Sequence, residues 1–313
     1  MSRILITPRS LTRAPHPALQ RLEADGHELV FSPPGDTPDE NALLALVPGC
    51  VGWLAGVEPI TPRVLRAATS LRVISRNGSG TDNIPLTVAD ALGITILRAG
   101  QANARGVAEL AIGLALASLR HLPDSSHAIK AGAWRRSLGL EIEGRTLGVI
   151  GCGAVGRLVA RLALALDARV LVHDPFPDLA FSPTGDFAWA SLDSVLAEAE
   201  ILSLHCPMPA DGETLLDPAA IASLRRGCHI VNTARAGLVD EAAMLAALET
   251  EQVRVYATDV FTVEPPEPSP LLQHPRVIAT PHIGGLTAES VTRATVAAVE
   301  NLRQALPRAC PAA

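Results

Sequence analysis

Short runs of apolar, often β-branched residues alternate along the chain with stretches whose apolar residues recur at helical spacing. That alternation predicts parallel α/β structure, because a strand that returns in the same direction needs a helical crossover. In the first third the pattern predicts strands over residues 3–7, 49–55, 71–76 and 93–97, and a helix over 17–26 closed by Gly26. A long Ala- and Leu-rich helix is predicted over 102–122, placed to bridge two domains. From residue 146 a second α/β pattern begins: strand 147–150, a glycine-rich turn, helix 157–166 and strand 169–173. Further strands are predicted at 201–205, 229–233, 255–259 and 277–280, a loop at 264–270, and a last helix over 287–306.

Composition sharpens this picture in a few places. A chain of 313 residues is long enough for two domains. With 48% hydrophobic but only 3% aromatic residues, the cores must be built from Ala, Leu, Val and Ile. The net charge of −6 leaves no basic footprint for nucleic acid. An anionic ligand must therefore be caught locally, by arginines or backbone N–H groups. No stretch approaches the roughly 18 uncharged apolar residues of a membrane span, and the N-terminus runs into a strand without a signal-peptide core. The cysteines Cys50, Cys152, Cys206, Cys228 and Cys310 are odd in number and hold no C-x-x-C pair. They suggest neither a disulfide framework nor a metal site, and point to a reducing cytoplasm.

Gly151-x-Gly153-x-x-Gly156 follows an apolar strand and opens a helix, the context a dinucleotide turn requires. Glycines there permit a tight turn, close approach of backbone to pyrophosphate, and close helix–strand packing. The turn residues Ala154 and Val155 begin the helix, whose free N–H groups favour phosphate. Asp174 ends the next strand, where a carboxylate accepts ribose hydroxyls and repels a 2′-phosphate. The cofactor expected is NAD rather than NADP, although Arg157 beside the motif leaves the strictness of that choice open. A ligand-free tight turn is the plain alternative, and the agreement of strand, glycines, helix and acid weighs against it.

Three more segments carry polar groups directly after apolar strands: Asn232-Thr233-Ala234-Arg235, Asp259-Val260-Phe261-Thr262-Val263-Glu264 and Thr280-Pro281-His282-Ile283-Gly284. Open α/β sheets place ligands at strand C-termini, so the three can converge. Taken singly, each of these residues reads as an ordinary surface charge or cap. Together with Ser75-Arg76-Asn77-Gly78-Ser79-Gly80-Thr81-Asp82-Asn83, Asn103 to Glu109 and the glycine fingerprint, they make the chain resemble the D-2-hydroxyacid dehydrogenase family, closest to its phosphoglycerate dehydrogenase branch.

The resemblance implies two Rossmann-like or flavodoxin-like parallel-sheet domains with a cleft between them. Residues 1–98 plus 286–313 would form the substrate domain and 99–285 the NAD domain. It implies hydride transfer to or from C2 of a small anionic 2-hydroxy or 2-keto acid, with 3-phosphoglycerate the leading single candidate. His282 falls on the family's acid–base histidine, a role suited to imidazole. Glu264 falls on the histidine's carboxylate partner. Arg235 falls on the guanidinium that holds the substrate carboxylate and polarises the C2 carbonyl. Asp259 resembles the aspartate that bonds the nicotinamide carboxamide. His205, Cys206, Thr233, Ala234 and Gly284 fall on the cofactor side, His205 as a wall rather than a catalyst. Asn77, Gly78, Ser79 and Gly80 resemble the loop whose N–H groups receive the substrate carboxylate, with Arg76 beside it.

Arg76 and Arg98 can each serve a second anionic group on the substrate, or simply be solvated, and the sequence does not choose. Ala236, Cys206 and Ala154 depart from the family's commonest Gly, Thr and Arg. The chain stops at Ala313, so feedback through a C-terminal regulatory domain is not expected. A homodimer is implied by the resemblance alone. Two rival readings remain: an NAD-sensing corepressor-like protein that keeps the same triad, and a phosphite-type dehydrogenase. Formate oxidation is disfavoured, because those relatives pair the histidine with Gln and not Glu.

Overall fold

The computed structural model describes residues 2–209 and 212–308. The backbone forms two compact units: one runs to Asn103 and resumes at Thr287, the other spans Ala104–Leu286.

In the first unit, strands β1 (Arg3–Ile6), β2 (Glu28–Phe31), β3 (Cys50–Ala55), β4 (Val73–Arg76) and β5 (Thr95–Arg98) form one parallel sheet in the order β2-β1-β3-β4-β5. Ile4, Leu5 and Ile6 are all fully buried. A strand covered on both faces needs such a continuous apolar run rather than alternation. On one face Leu5, Trp53 and Ile74 pack with Val64, Leu65 and Ile94. On the other, Ile4, Ile6, Leu54 and Val73 pack with Ala298, Val299 and Leu302 of the helix Ala288–Ala305. That helix starts where the Thr287 hydroxyl accepts the Ser290 N–H at 3.0 Å, satisfying one of the donors a helix N-terminus leaves open.

In the second unit, β6 (Thr146–Ile150), β7 (Arg169–His173), β8 (Phe187–Trp189), β9 (Ile201–Leu204), β10 (Cys228–Asn232), β11 (Val253–Thr258) and β12 (Val277–Ala279) form a parallel sheet in the order β12-β11-β10-β9-β6-β7-β8. The winding reverses between β6 and β9, and the crevice beyond the strand C-termini at such a point is where open α/β sheets bind ligands. Val149, Val170, Val172 and Ile201 pack against Val159, Ala160 and Ala163 of the helix Ala154–Leu164 and against Ala108, Ala111 and Ala115 of the helix Ala104–Leu119. Alanine at these contacts compensates for the scarcity of aromatics by letting helices lie close to the sheet. Ile150, Leu202, Leu204 and Ile230 cover the other face with Val195, Leu196, Ile221 and Leu248.

Several elements differ from the expectation. The predicted helix 102–122 is two helices, Ala104–Leu119 and Leu122–Lys130, parted at His121, whose φ of +50° is left-handed. The first of them lies wholly within the second unit. The predicted helix 17–26 is a single 3₁₀ turn, Pro17–Leu19, running on as Gln20–Ala24. Strands β2 and β8 were not expected. Among the described residues, no helix is long and apolar enough to cross a membrane, and no cluster of His, Cys, Asp or Glu has the makings of a metal site. Cys50, Cys152, Cys206 and Cys228 are free thiols, while Cys310 lies outside the described residues.

Candidate active site

At the end of β6 the chain turns through Gly151 with φ +92°. A side chain there would press its Cβ to 2.6 Å from the Cys206 nitrogen and the His205 carbonyl carbon, so only glycine lets β6 and β9 run so close at their C-termini. A Cβ on Gly156 would fall 1.9 Å from the Gly151 carbonyl oxygen, so this glycine brings the helix onto its own turn. At Gly153 the protein offers nothing within 4 Å of a Cβ. Its packing does not require glycine there, whereas a ligand lying on the backbone would. The helix Ala154–Leu164 begins at Gly153 without a side-chain cap, leaving the first N–H groups, those of Ala154 and Val155 among them, for an anion.

Asp174, just past β7, accepts the Cys152 N–H at 2.7 Å and the Phe176 N–H at 2.9 Å. It thus braces the glycine turn and, with two oxygens, keeps lone pairs for ribose hydroxyls. Arg157 is engaged elsewhere: its guanidinium bonds the Cys152 carbonyl (3.1 Å) and Asp178 (2.8 Å), and lies 5.2 Å from the centre of the Phe181 ring. The Cys152 thiol is buried, its pKa pushed up to about 11 by desolvation, which makes it a poor nucleophile. His205 bonds the Ser203 hydroxyl at 2.8 Å, and burial of its ring pushes its pKa down to about 3. It stays neutral at physiological pH and is unsuited to carry a proton. Burial likewise raises the pKa of its neighbour Cys206.

Beside this crevice, β10, β11 and β12 end abreast, with Asn232 opposite Thr258 and Thr258 opposite Ala279. Their continuations therefore leave the sheet side by side, about 4.8 Å between neighbours. After β10, Asn232 shapes the turn that presents Arg235: its side chain accepts the Ala234 N–H at 3.0 Å and donates to the Arg235 carbonyl at 2.9 Å. The Thr233 hydroxyl is buried with no hydrogen-bond partner among the described residues. A buried orphan hydroxyl is costly unless something outside the chain completes it, and a bound cofactor fits that need.

After β11 come two carboxylates with distinct tasks. Asp259, 1% exposed, accepts the Thr280 hydroxyl (2.6 Å), the Ile283 N–H (2.8 Å) and the Gly284 N–H (2.7 Å). It clasps the turn that carries His282, which itself adopts a left-handed φ of +51°. Glu264 places both carboxylate oxygens 2.8 Å from His282 Nδ1, one of them also taking the Phe261 N–H at 3.2 Å. Holding Nδ1–H in this way leaves Nε2 as the free basic nitrogen. The pair is open to solvent, with side chains 52% and 39% exposed, as groups that meet a substrate must be.

Asn77, Gly78, Ser79 and Gly80 lie in the other unit, after β4. The Asn77 N–H is given to the Ala55 carbonyl and the Gly78 N–H to the Arg76 carbonyl, both at 2.8 Å. Ser79 donates its hydroxyl to Asn103 at 3.0 Å. Sequence reasoning missed the bracing role of Asn232. An amide side chain ending an apolar strand was its signal, and what it grips cannot be read from one chain.

Residues 112–284 match the family model for the D-isomer specific 2-hydroxyacid dehydrogenase, NAD binding domain. The chain is 38% identical over 274 residues to D-3-phosphoglycerate dehydrogenase of Mycobacterium tuberculosis, covering 87% of this chain and 52% of that one. It therefore spans about half the length of that relative. It is 36% identical over 270 residues to hydroxypyruvate reductase of Thermotoga maritima, covering 84% and 87% of the two chains. Among solved structures, a glyoxylate reductase from Paecilomyes thermophila superposes with a TM-score of 0.85 at 28% identity, over 97% of this chain and 95% of that one.

Proposed function

The chain belongs to the D-isomer specific 2-hydroxyacid dehydrogenase family, and from that premise we propose that it moves a hydride between NAD and C2 of a small 2-hydroxy or 2-oxo acid. The observation that carries the reading is the His282–Glu264 pair at 2.8 Å, at the end of a sheet whose switch point holds a glycine turn built for a dinucleotide.

When bound, NAD supplies the hydride acceptor, or as NADH the donor. Ala154 and Val155 N–H groups would hold its pyrophosphate and Asp174 its ribose, and Thr233, Gly284, His205 and Cys206 are the further residues that would meet it. In the oxidation, His282 Nε2 takes the proton of the C2 hydroxyl as the hydride leaves C2. Glu264 stabilises the imidazolium that results, and in reduction the same nitrogen returns the proton. Arg235, whose turn Asn232 fixes, binds the substrate carboxylate and polarises the C2 carbonyl. Asp259 has three of its acceptor sites filled by the His282 turn, so one remains for the nicotinamide carboxamide. The loop of Asn77, Gly78, Ser79 and Gly80 is assigned to the substrate carboxylate by resemblance. With the first two N–H groups already spent, Ser79 and Gly80 are its donors. We extend the proposal to a homodimer in a reducing cytoplasm.

NADH oxidation with glyoxylate, pyruvate, hydroxypyruvate and 3-phosphohydroxypyruvate tests the reading. Turnover of at least one 2-oxo acid is expected. A protein that binds NADH tightly and reduces none of them is a sensor and not a dehydrogenase.

A further inference from the structure

The strand order of the first sheet has its own switch point, between β1 and β3. The residues leaving those two strands are Thr7 and Gly56-Val57-Glu58. Glu58 is 1% exposed, and its carboxyl folds back into the gap, accepting the Thr7 hydroxyl and, at 2.9 Å, the Gly56 N–H. Thr7 is in turn held by the Trp53 indole N–H at 2.8 Å. Gly56 has no room for a side chain, since a Cβ would come 2.7 Å from Glu58 Oε2 and 3.0 Å from Pro8 Cα. Asn83 secures the same turn from the far side of the substrate loop, donating to the carbonyls of Glu58 (2.7 Å) and Gly56 (3.2 Å). A tryptophan, a threonine, a glycine and an asparagine thus all serve to keep one carboxyl inside.

The cation whose charge acts on it is Arg76, one strand over. Arg76 pairs with Ala55 across β3 and β4, its Nη1 donates to the Asn77 carbonyl at 2.9 Å, and a Cβ on Gly78 would lie 3.0 Å from the same atom, so the guanidinium lies against the start of the loop. Burial raises the Glu58 pKa, while Thr7, Gly56 and the charge of Arg76 act in the opposite direction. The arginine that stood open as a receptor for a second anionic group therefore shares its field with a buried acid. Arg98, the other candidate, is exposed at the end of β5, where water screens its charge.

We infer that Glu58 is a specificity residue: as the counter-charge to Arg76, it confines the substrate to 2-oxo acids whose carboxylate is the sole anion, and it disfavours a phosphate, sulfonate or second carboxylate at C3. A dianion beside Arg76 must either share the guanidinium with Glu58 or drive a proton onto it, and both cost binding. The inference rests on the dehydrogenase reading and narrows its substrate class.

The test compares kcat/KM for hydroxypyruvate and 3-phosphohydroxypyruvate in the native protein and in Glu58→Gln. Gln keeps the acceptor for Thr7 and Gly56 and removes the charge. The native protein prefers hydroxypyruvate. In the variant the phosphorylated substrate gains about tenfold or more and the unphosphorylated one changes little. A native preference for the phosphorylated acid overturns the inference outright, with or without a folded variant. So does an equal change for both substrates in a variant that still binds NADH, which is what a purely structural Glu58 would give. Absence of turnover with every 2-oxo acid removes the dehydrogenase reading itself, a different result from a wrong preference.

Discussion

His282 owes its direction to two carboxylates of different exposure. Asp259 is buried and spends its oxygens on the backbone around the histidine, while Glu264 lies open and meets the ring itself. Singly, His282, Glu264 and Arg235 read in the sequence as ordinary surface residues; what marked them out was three segments, each following an apolar strand, in an order that resembles one family. Glu58 stayed illegible, since a Glu between Val57 and Pro59 reads as an ordinary loop acid until Thr7 and Gly56 are brought to it by the crossing from β1 to β3. Burying that acid has a consequence for stability. Its folded pKa lies above its unfolded value, so the folded state holds the proton more firmly; the contribution is complete below the unfolded pKa and is lost as pH rises through the folded one. The buried imidazoles of His205 and His229, with pKa values lowered to about 3 and about 4, act in the opposite sense below neutrality and are unchanged in a Glu58 variant. Glu58→Gln is therefore expected to gain stability relative to the native protein at pH 8 compared with pH 5, read as urea midpoints. A difference that does not vary with pH contradicts the assignment.

At the scale of elements, the inner strands were readable because burial on both faces demands unbroken apolar runs, as in Thr146–Ile150 and Arg169–His173. Strands β2 and β8 were not, because they are too short to show a period: β2 offers only Leu29-Val30-Phe31 after Glu28, and β8 is the three residues Phe187–Trp189. The long helix was misread as one because Leu119 and Leu122 continue its spacing across His121; only the left-handed backbone of that residue parts the two. The unit of β6, glycine turn, helix and β7 was legible whole, since the backbone requirements of the turn and the pattern of the flanking elements agree. Asp174 braces the turn of that unit through Cys152 and is the residue we propose for the ribose. Asp174→Ala is expected to lower the preference for NAD over NADP by about tenfold, the value of a charge-assisted hydrogen bond with relief of repulsion. An unchanged ratio of kcat/KM for the two cofactors would remove Asp174 from the ribose site.

Across the whole molecule, surface and site make separate demands. Between residues 122 and 140 of the second unit, Leu122 and Ile129 are exposed, Trp134 is 82% exposed and Leu138 95%. So many large apolar side chains along one stretch suit burial against a second copy. Light scattering on a sizing column is expected to give twice the chain mass of 32.7 kDa, and Trp134→Ala to weaken the dimer by about tenfold or more. A native monomer at micromolar concentration contradicts the homodimer. The central claim is more local: an imidazole oriented by Glu264 moves the proton as NAD exchanges the hydride. The most direct test is His282→Ala assayed for NADH affinity and for 2-oxo acid reduction in one preparation. The account predicts unchanged NADH affinity with turnover lowered about 10²–10⁴-fold; native turnover in that variant would contradict it.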